Sequence, residues 1–199
     1  VLLLARAAGA PLYDVLRSRL FDPLGMRDTD FWTPDTGRLP TAYLPGPRGL
    51  DVFDPPDGQW SQPPAFPDGA AGLVSTADDL LAFARMLLHG GDQVLSADVV
   101  AEMTRNQLTP EQQGGAGTAI LGDRSWGLCQ AVSTEGPRAG AFGWDGGLGT
   151  SWLVDPVRGL IVIVLTQRLF ATAQLPTAHR DLQDAAYRDL QDAAYRALP

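Results

Sequence analysis

Apolar residues recur along this chain at two spacings, and the change of spacing divides it. Up to about residue 103 they fall three and four apart, the period of a helix face. Val1-Leu2-Leu3-Leu4-Ala5-Arg6 opens without methionine, cap residue or signal-peptide pattern, and it reads as the middle of a helix that Gly9 closes. The simplest inference is that further sequence lies upstream. Pro11 suits a first helical position, and Leu12, Val15, Leu16 and Leu20 carry the period on to Phe21. Asp22-Pro23-Leu24-Gly25-Met26 is a turn with an apolar plug. Ala77, Leu80, Leu81, Ala84, Leu87 and Leu88 form one apolar helix face. That helix starts at a capping-box-like pair, Ser75 with Asp78 or Thr76 with Asp79, and stops at Gly90-Gly91. Asp78 and Asp79 are expected as anions favoured in a first helical turn, not as catalytic carboxylates. His89 is expected to complement the helix C-terminus. Ser96 caps a further helix with Val99, Val100 and Met103 inward.

Past residue 125 the period shortens. Residues 126–132, 140–144, 150–155 and 159–166 are predicted strands, and the turn Pro156-Val157-Arg158-Gly159 makes the last two a hairpin. Short turns imply antiparallel pairing over 126–167. Leu160-Ile161-Val162-Ile163-Val164-Leu165 is apolar on both faces, so both must be covered, and it is too short to span a membrane. Residues 171–199 are predicted to form a C-terminal helix. They hold an eight-residue duplication, Arg-Asp-Leu-Gln-Asp-Ala-Ala-Tyr at 180–187 and again at 188–195. Eight residues turn a helix face by about 80°, so the two copies cannot face one flat surface. Asp184 with Arg188 and Asp192 with Arg196 can pair at i,i+4.

Two stretches lack either period. Residues 33–67 contain nine prolines, a density no helix survives. This long irregular loop carries Tyr43, Phe53, Trp60 and Phe66, so it is packed on something, as a cleft wall or as a surface excursion. Residues 113–122 are glycine-rich, but with no parallel strand before them they read as a connector, not a phosphate cradle.

Composition removes several chemistries. The 15 Lys+Arg positions are all arginine, so the chain has no Walker A lysine, Schiff-base lysine or Ser-Lys pair. Cys129 is the only cysteine, and His89 and His179 stand far apart, so neither a disulfide nor a metal site is expected and no cofactor is implied. The net charge of −8, unrelieved by any basic stretch, argues against nucleic acid as a partner.

Three ordered segments resemble the penicillin-recognising serine hydrolases, a superfamily of class C β-lactamases, D-alanyl-D-alanine peptidases and related esterases. Residues 20–29, Leu-Phe-Asp-Pro-Leu-Gly-Met-Arg-Asp-Thr, are similar to that family's PLGM-x-DT stretch. Residues 71–80, Ala-Gly-Leu-Val-Ser-Thr-Ala-Asp-Asp-Leu, are similar to its GGL-x-ST-x-x-DL segment. Residues 142–151, Phe-Gly-Trp-Asp-Gly-Gly-Leu-Gly-Thr-Ser, resemble its Lys/His/Trp-x-Gly edge strand, here Trp144-Asp145-Gly146. The resemblance implies an α+β, β-lactamase/transpeptidase-like fold, an antiparallel sheet flanked by helices, with residues 1–170 its C-terminal portion. It implies a small-molecule ester or amide substrate and an acyl-serine intermediate. Trp144, Asp145 and Gly146 become substrate-binding candidates. Gly147 matches the position whose backbone N–H stabilises the oxyanion, a donor worth roughly 3–4 kcal/mol. Trp144 in place of a cation favours an esterase over a β-lactamase.

The family's Ser-x-x-Lys and Tyr-x-Asn motifs are both missing from this sequence, so the chain by itself is expected to be inactive. The family's sheet also takes strands from both ends of the chain, so apolar edges and helix faces are expected to stand uncovered. Two other readings stay open. One is a non-catalytic relative that binds a ligand; the other is a protein that docks a partner through its C-terminal helix.

Overall fold

The computed structural model describes residues 1–114, 118–122, 124–172 and 174–196. The N-terminal part is helical, as its apolar period requires. Helix α1 (Leu2–Ala8) ends at Gly9, whose φ of 63° is the left-handed cap that glycine adopts without penalty. Pro11 stands just before helix α2 (Leu12–Leu16), not inside it. The helix then widens into a π-type turn, Arg17–Phe21, and finishes as one turn, α3 (Asp22–Leu24). Phe21 and Met26 are buried.

Residues 33–67 depart from the expected irregular loop. They contain a hairpin, β1 (Ala42–Gly46) and β2 (Gly49–Asp54). Proline density rules out a helix there, but a two-stranded ribbon leaves one side of each strand unpaired, and a proline on that side loses no ladder bond. Pro45 sits in β1 on that basis. Helices α4 (Ala77–Leu88) and α5 (Ala97–Met103) follow, capped by Thr76 and Ser96. Two short helical turns, α6 (Pro110–Gln113) and α7 (Thr118–Leu121), come next. The second lies within the supposed glycine-rich connector, of which 115–117 are outside the described residues.

The main sheet is an antiparallel meander of five strands in chain order. These are β3 (Ser125–Trp126), β4 (Ala131–Val132), β5 (Phe142–Gly146), β6 (Thr150–Asp155) and β7 (Leu160–Leu165). The expected single strand over 126–132 is in fact two short ones. Gly127 N–H bonds to the Gln130 carbonyl and Cys129 adopts φ 66°, so the chain reverses there. Helix α8 (Thr177–Arg196) ends the described chain.

The period-two alternation of β5–β7 sends side chains to two separate cores. Val132, Phe142 and Val154 meet Ala84, Met86 and Leu87 of α4 and Val100 of α5. Ala141, Leu153 and Val162 lie beneath Tyr187 of α8. The apolar run of β7 is thus covered from both sides, as its composition demands. Elsewhere apolar surface stands open: Leu2, Leu3 and Leu4 of α1 are exposed, and so is Leu165 on the outer strand β7.

Two polar clusters fix these layers. Asp79 accepts hydrogen bonds from Asp28 N–H and from the Thr29 hydroxyl, both at 2.8 Å. Asp30 pairs with Val74 as an isolated bridge. Thr76 caps α4 through Asp79 N–H, but the Asp79 carboxylate reaches across to residues 28 and 29 and does not close a capping box. On the other face Asp155, fully buried, accepts from Arg158 N–H, the Arg158 guanidinium and the Tyr187 hydroxyl. Arg138 lies over the Tyr187 ring, donates to Gln183 and ion-pairs with Asp184. Asp184 is therefore engaged by the sheet's loop and not by Arg188, the expected helical neighbour, because the guanidinium is held within its reach by the aromatic ring. The Asp192–Arg196 pair lies outside the described side chains.

Burial and the Asp155 contact push the Tyr187 phenol well above its ordinary ionisation range. Its folded-state value is raised, so its contribution is complete below the unfolded tyrosine value of about 10 and is lost as pH climbs past it. Tyr187→Phe should lower unfolding free energy by about 1.5–3 kcal/mol, the worth of a hydrogen bond to a charged group. Urea unfolding followed from pH 8 to 11 should show the stability difference between the two proteins shrinking above about pH 10. Gly143 gives a second test. A methyl there would lie 2.1 Å from the Trp152 carbonyl oxygen, backbone that cannot swing aside. Gly143→Ala should cost about 3 kcal/mol or more, the upper end of overpacking, in the same urea experiment.

Candidate active-site wall

The Trp144-Asp145-Gly146 motif occupies the outer half of β5. Because β4 is only two residues long, it pairs with Phe142 and Gly143 and no further. Trp144, Asp145 and Gly146 pair with Trp152, Ser151 and Thr150 of β6 on one side. Among the described residues no strand pairs with them on the other. The result is a short open edge at the end of an otherwise paired strand.

Alternation sends neighbouring side chains of this edge to opposite faces. Trp144 shares a face with its register partner Trp152, which packs on Phe83 of α4. The Trp126 ring stands edge-on to Trp144 at 4.9 Å between centroids. Asp145 points to the α8 face. Its side chain is only 7% exposed, and Arg124 Nη2 lies 2.8 Å from its Oδ2. That contact is an ion pair without aligned hydrogen-bond geometry, since Oδ2 is buried with no partner that meets it. The resemblance groups Asp145 with Trp144, but the strand separates them.

The turn after Gly146 is tightly built. Gly149 N–H bonds back to the Gly146 carbonyl, and φ at Gly149 is 100°. A Cβ there would come within 2.4 Å of the Arg168 carbonyl oxygen, so both conformation and space require glycine. The Gly149 carbonyl accepts from Thr166 N–H at 2.9 Å and from the Thr166 hydroxyl at 2.8 Å. Buried His179 brings Nε2 to 3.3 Å of the same oxygen and packs edge-on to Phe170. Phe170 N–H bonds to the Gly147 carbonyl. The Gly147 N–H, in an exposed residue, meets no acceptor among the described residues. The turn thus engages the Gly147 carbonyl and leaves the Gly147 N–H available.

The proline-rich segment reaches the same place. Tyr43 N–H bonds to the Gln167 carbonyl, and Leu169 N–H bonds to the Tyr43 carbonyl. The β1–β2 hairpin is thereby tied beside the 166–170 strap that wraps the Gly147–Gly149 turn. Arg124, Trp126, Tyr43, Phe170 and His179 were not singled out from sequence as neighbours of the motif. The contacts that bring them there, Arg124 to Asp145, Trp126 to Trp144, Tyr43 to Gln167, Phe170 to Gly147 and His179 to Gly149, each span 18 or more positions, and no spacing rule reports such contacts. His89, in contrast, stands at the C-terminus of α4 as its position suggested. Among the described residues no group of three His, Cys, Asp or Glu side chains could hold a metal ion, and no helix is long and apolar enough to cross a membrane.

Comparison with known proteins agrees with this architecture. The beta-lactamase family model matches residues 2–187. Protein Rv1367c of Mycobacterium tuberculosis is 36% identical over an alignment of 185 residues that covers 83% of this chain and 45% of that protein. Esterase EstB of Burkholderia gladioli is 28% identical over 83% of this chain and 46% of its own length. Among solved structures, EstCE1, described as a hydrolase with promiscuous acyltransferase activity, superposes with a TM-score of 0.78 at 26% identity, covering 92% of this chain and 52% of that one. The chain spans a little under half the length of these curated relatives. With a family match across nearly its whole length and an antiparallel sheet flanked by helices in the same arrangement, the chain belongs to the beta-lactamase family.

Proposed function

We propose that the protein containing this chain hydrolyses a small-molecule ester or amide through an acyl-serine intermediate, with esters preferred over β-lactams. The observation that carries this reading is the Gly147 N–H: exposed, without an acceptor among the described residues, and fixed in a rigid turn beside Trp144. When a serine oxygen adds to a carbonyl carbon, the π electrons move onto the carbonyl oxygen. A donor already aimed at that oxygen lowers the barrier without reorganising. The oxyanion then collapses, expels the alcohol or amine, and water releases the acid in a second addition. Gly147 serves as one donor. Trp144 forms an apolar wall, and its lack of positive charge leaves the carboxylate of a β-lactam unrecognised while a neutral ester is tolerated. The nucleophile and its lysine base must come from elsewhere in the protein, since this chain has no lysine. The names of two relatives, an esterase and a hydrolase with acyltransferase activity, support the same reaction class.

The protein expressed with its upstream sequence should turn over p-nitrophenyl butyrate and leave a chromogenic cephalosporin nearly untouched. Gly147→Pro, which deletes the N–H, should lower kcat about 10²–10³-fold with little change in KM. Gly147→Ala keeps the N–H, and its methyl meets nothing within 4 Å, so it should stay active. A fully active proline variant would overturn the reading. The 199-residue chain alone should hydrolyse neither substrate.

A further inference from the structure

We propose that strand β3 clasps the open half of β5, with Arg124 and Trp126 as positioning residues for the Gly146–Gly147 wall; the inference rests on the oxyanion reading of Gly147. A backbone donor contributes to catalysis only if it is held within a fraction of an ångström of its working place. Yet Trp144, Asp145 and Gly146 have a hydrogen-bonded neighbour on the β6 side alone. Strand β4, which should brace them, stops three residues short of the end of β5.

Side chains from the next strand out make up the difference. Arg124 immediately precedes β3 and Trp126 ends it, and both reach past β4 to adjacent residues of β5. Arg124 ion-pairs with Asp145 at 2.8 Å, and Trp126 packs edge-on to Trp144 at 4.9 Å. The two gripped side chains leave opposite faces of β5, so the strand can roll toward neither. Arg124 is braced in turn by a 3.5 Å contact from Nε to the Leu121 carbonyl.

The Asp145 side makes the clasp costly to open. Its carboxylate is buried, its Oδ2 has no aligned hydrogen-bond donor, and the Ser151 hydroxyl opposite is also buried and unpartnered. Arg124 is the only cationic group among the described residues that forms an ion pair with it. Without that cation the carboxylate would be driven toward water, and it would carry the Gly146–Gly147 peptide with it. The clasp therefore converts an ion pair at Asp145 into placement of the backbone donor two residues further on.

A double-mutant cycle in the protein expressed with its upstream sequence separates this from plain stabilisation. Arg124→Gln should lower kcat on p-nitrophenyl butyrate by about ten- to a hundredfold, the loss expected for misplacement of order 1 Å, with KM changed less than about twofold. Rates are normalised to active sites titrated by the acyl-enzyme burst, so a fall in folded material does not count. Adding Asp145→Asn removes the stranded charge, and the double variant should recover much of the lost kcat. Trp126→Ala should lower kcat in the same way, and Trp126→Phe, which keeps an aromatic edge, should not. Unchanged kcat in Arg124→Gln, or a double variant no better than the single one, overturns the clasp. If the parent protein shows no hydrolysis, the function fails separately, and the clasp is judged on the 199-residue chain. There Arg124→Gln should speed amide hydrogen exchange at residues 144–147 and diminish the near-ultraviolet circular dichroism of the tryptophan pair. No change in either signal overturns it as well.

Discussion

A strand that is apolar on both faces cannot exist alone in water, and the rest of this chain is arranged around that requirement. The β5–β6–β7 unit needs a cover on each side, and the covers come from distant parts of the sequence. Helix α4 supplies one from the middle, and α8 supplies the other from the end. The buried Asp155 ties the second cover down. Its carboxylate gathers Arg158 from its own hairpin turn and Tyr187 from the helix. Once both layers are fixed, the relative height of every β-strand end is fixed, including the end of β5 where the candidate wall lies.

That wall is a place where regular structure stops early. Most of β5 and β6 satisfies its backbone within the sheet, but β4 ends before Trp144 and the turn after Gly146 folds back on itself. Unpaired edges invite association, and proteins usually shorten or cover them. Here the edge is three residues long, flanked by the Trp126–Trp144 pair and by the strap at 166–170. A short edge of this kind leaves backbone groups open without presenting a template long enough for another strand.

Much of this was legible in the residues. The helix face from Ala77 to Leu88, the glycine cap at Gly9, the Thr76 and Ser96 caps and the β6–β7 hairpin follow from local spacing and turn chemistry, which act over a few positions. The three ordered segments also led to the right family. The misses share a physical cause. The β1–β2 hairpin was hidden because proline density excludes helices far more strongly than it excludes edge strands. The split at 127–130 was hidden because Cys129 adopts a left-handed conformation that its identity does not announce. Arg124, Trp126 and His179 meet the site only through tertiary contacts. Asp184 looked like a partner for Arg188 one helical turn on, but Arg138, brought in by the sheet and held over Tyr187, outcompetes a solvent-exposed neighbour.

The Asp79 carboxylate has a meaning beyond the stability it lends. Residues 20–29 and 71–80 read as two independent signatures, fifty positions apart. In the fold they are one joint: Asp28 and Thr29 donate to a single acceptor in the other segment, and Asp30 bridges to Val74 beside it. Neither stretch can drift without breaking the other's bonds. The two signatures therefore count as one piece of inherited information, and a sequence that kept one while losing the other would be a chain whose joint has been rebuilt in some other way.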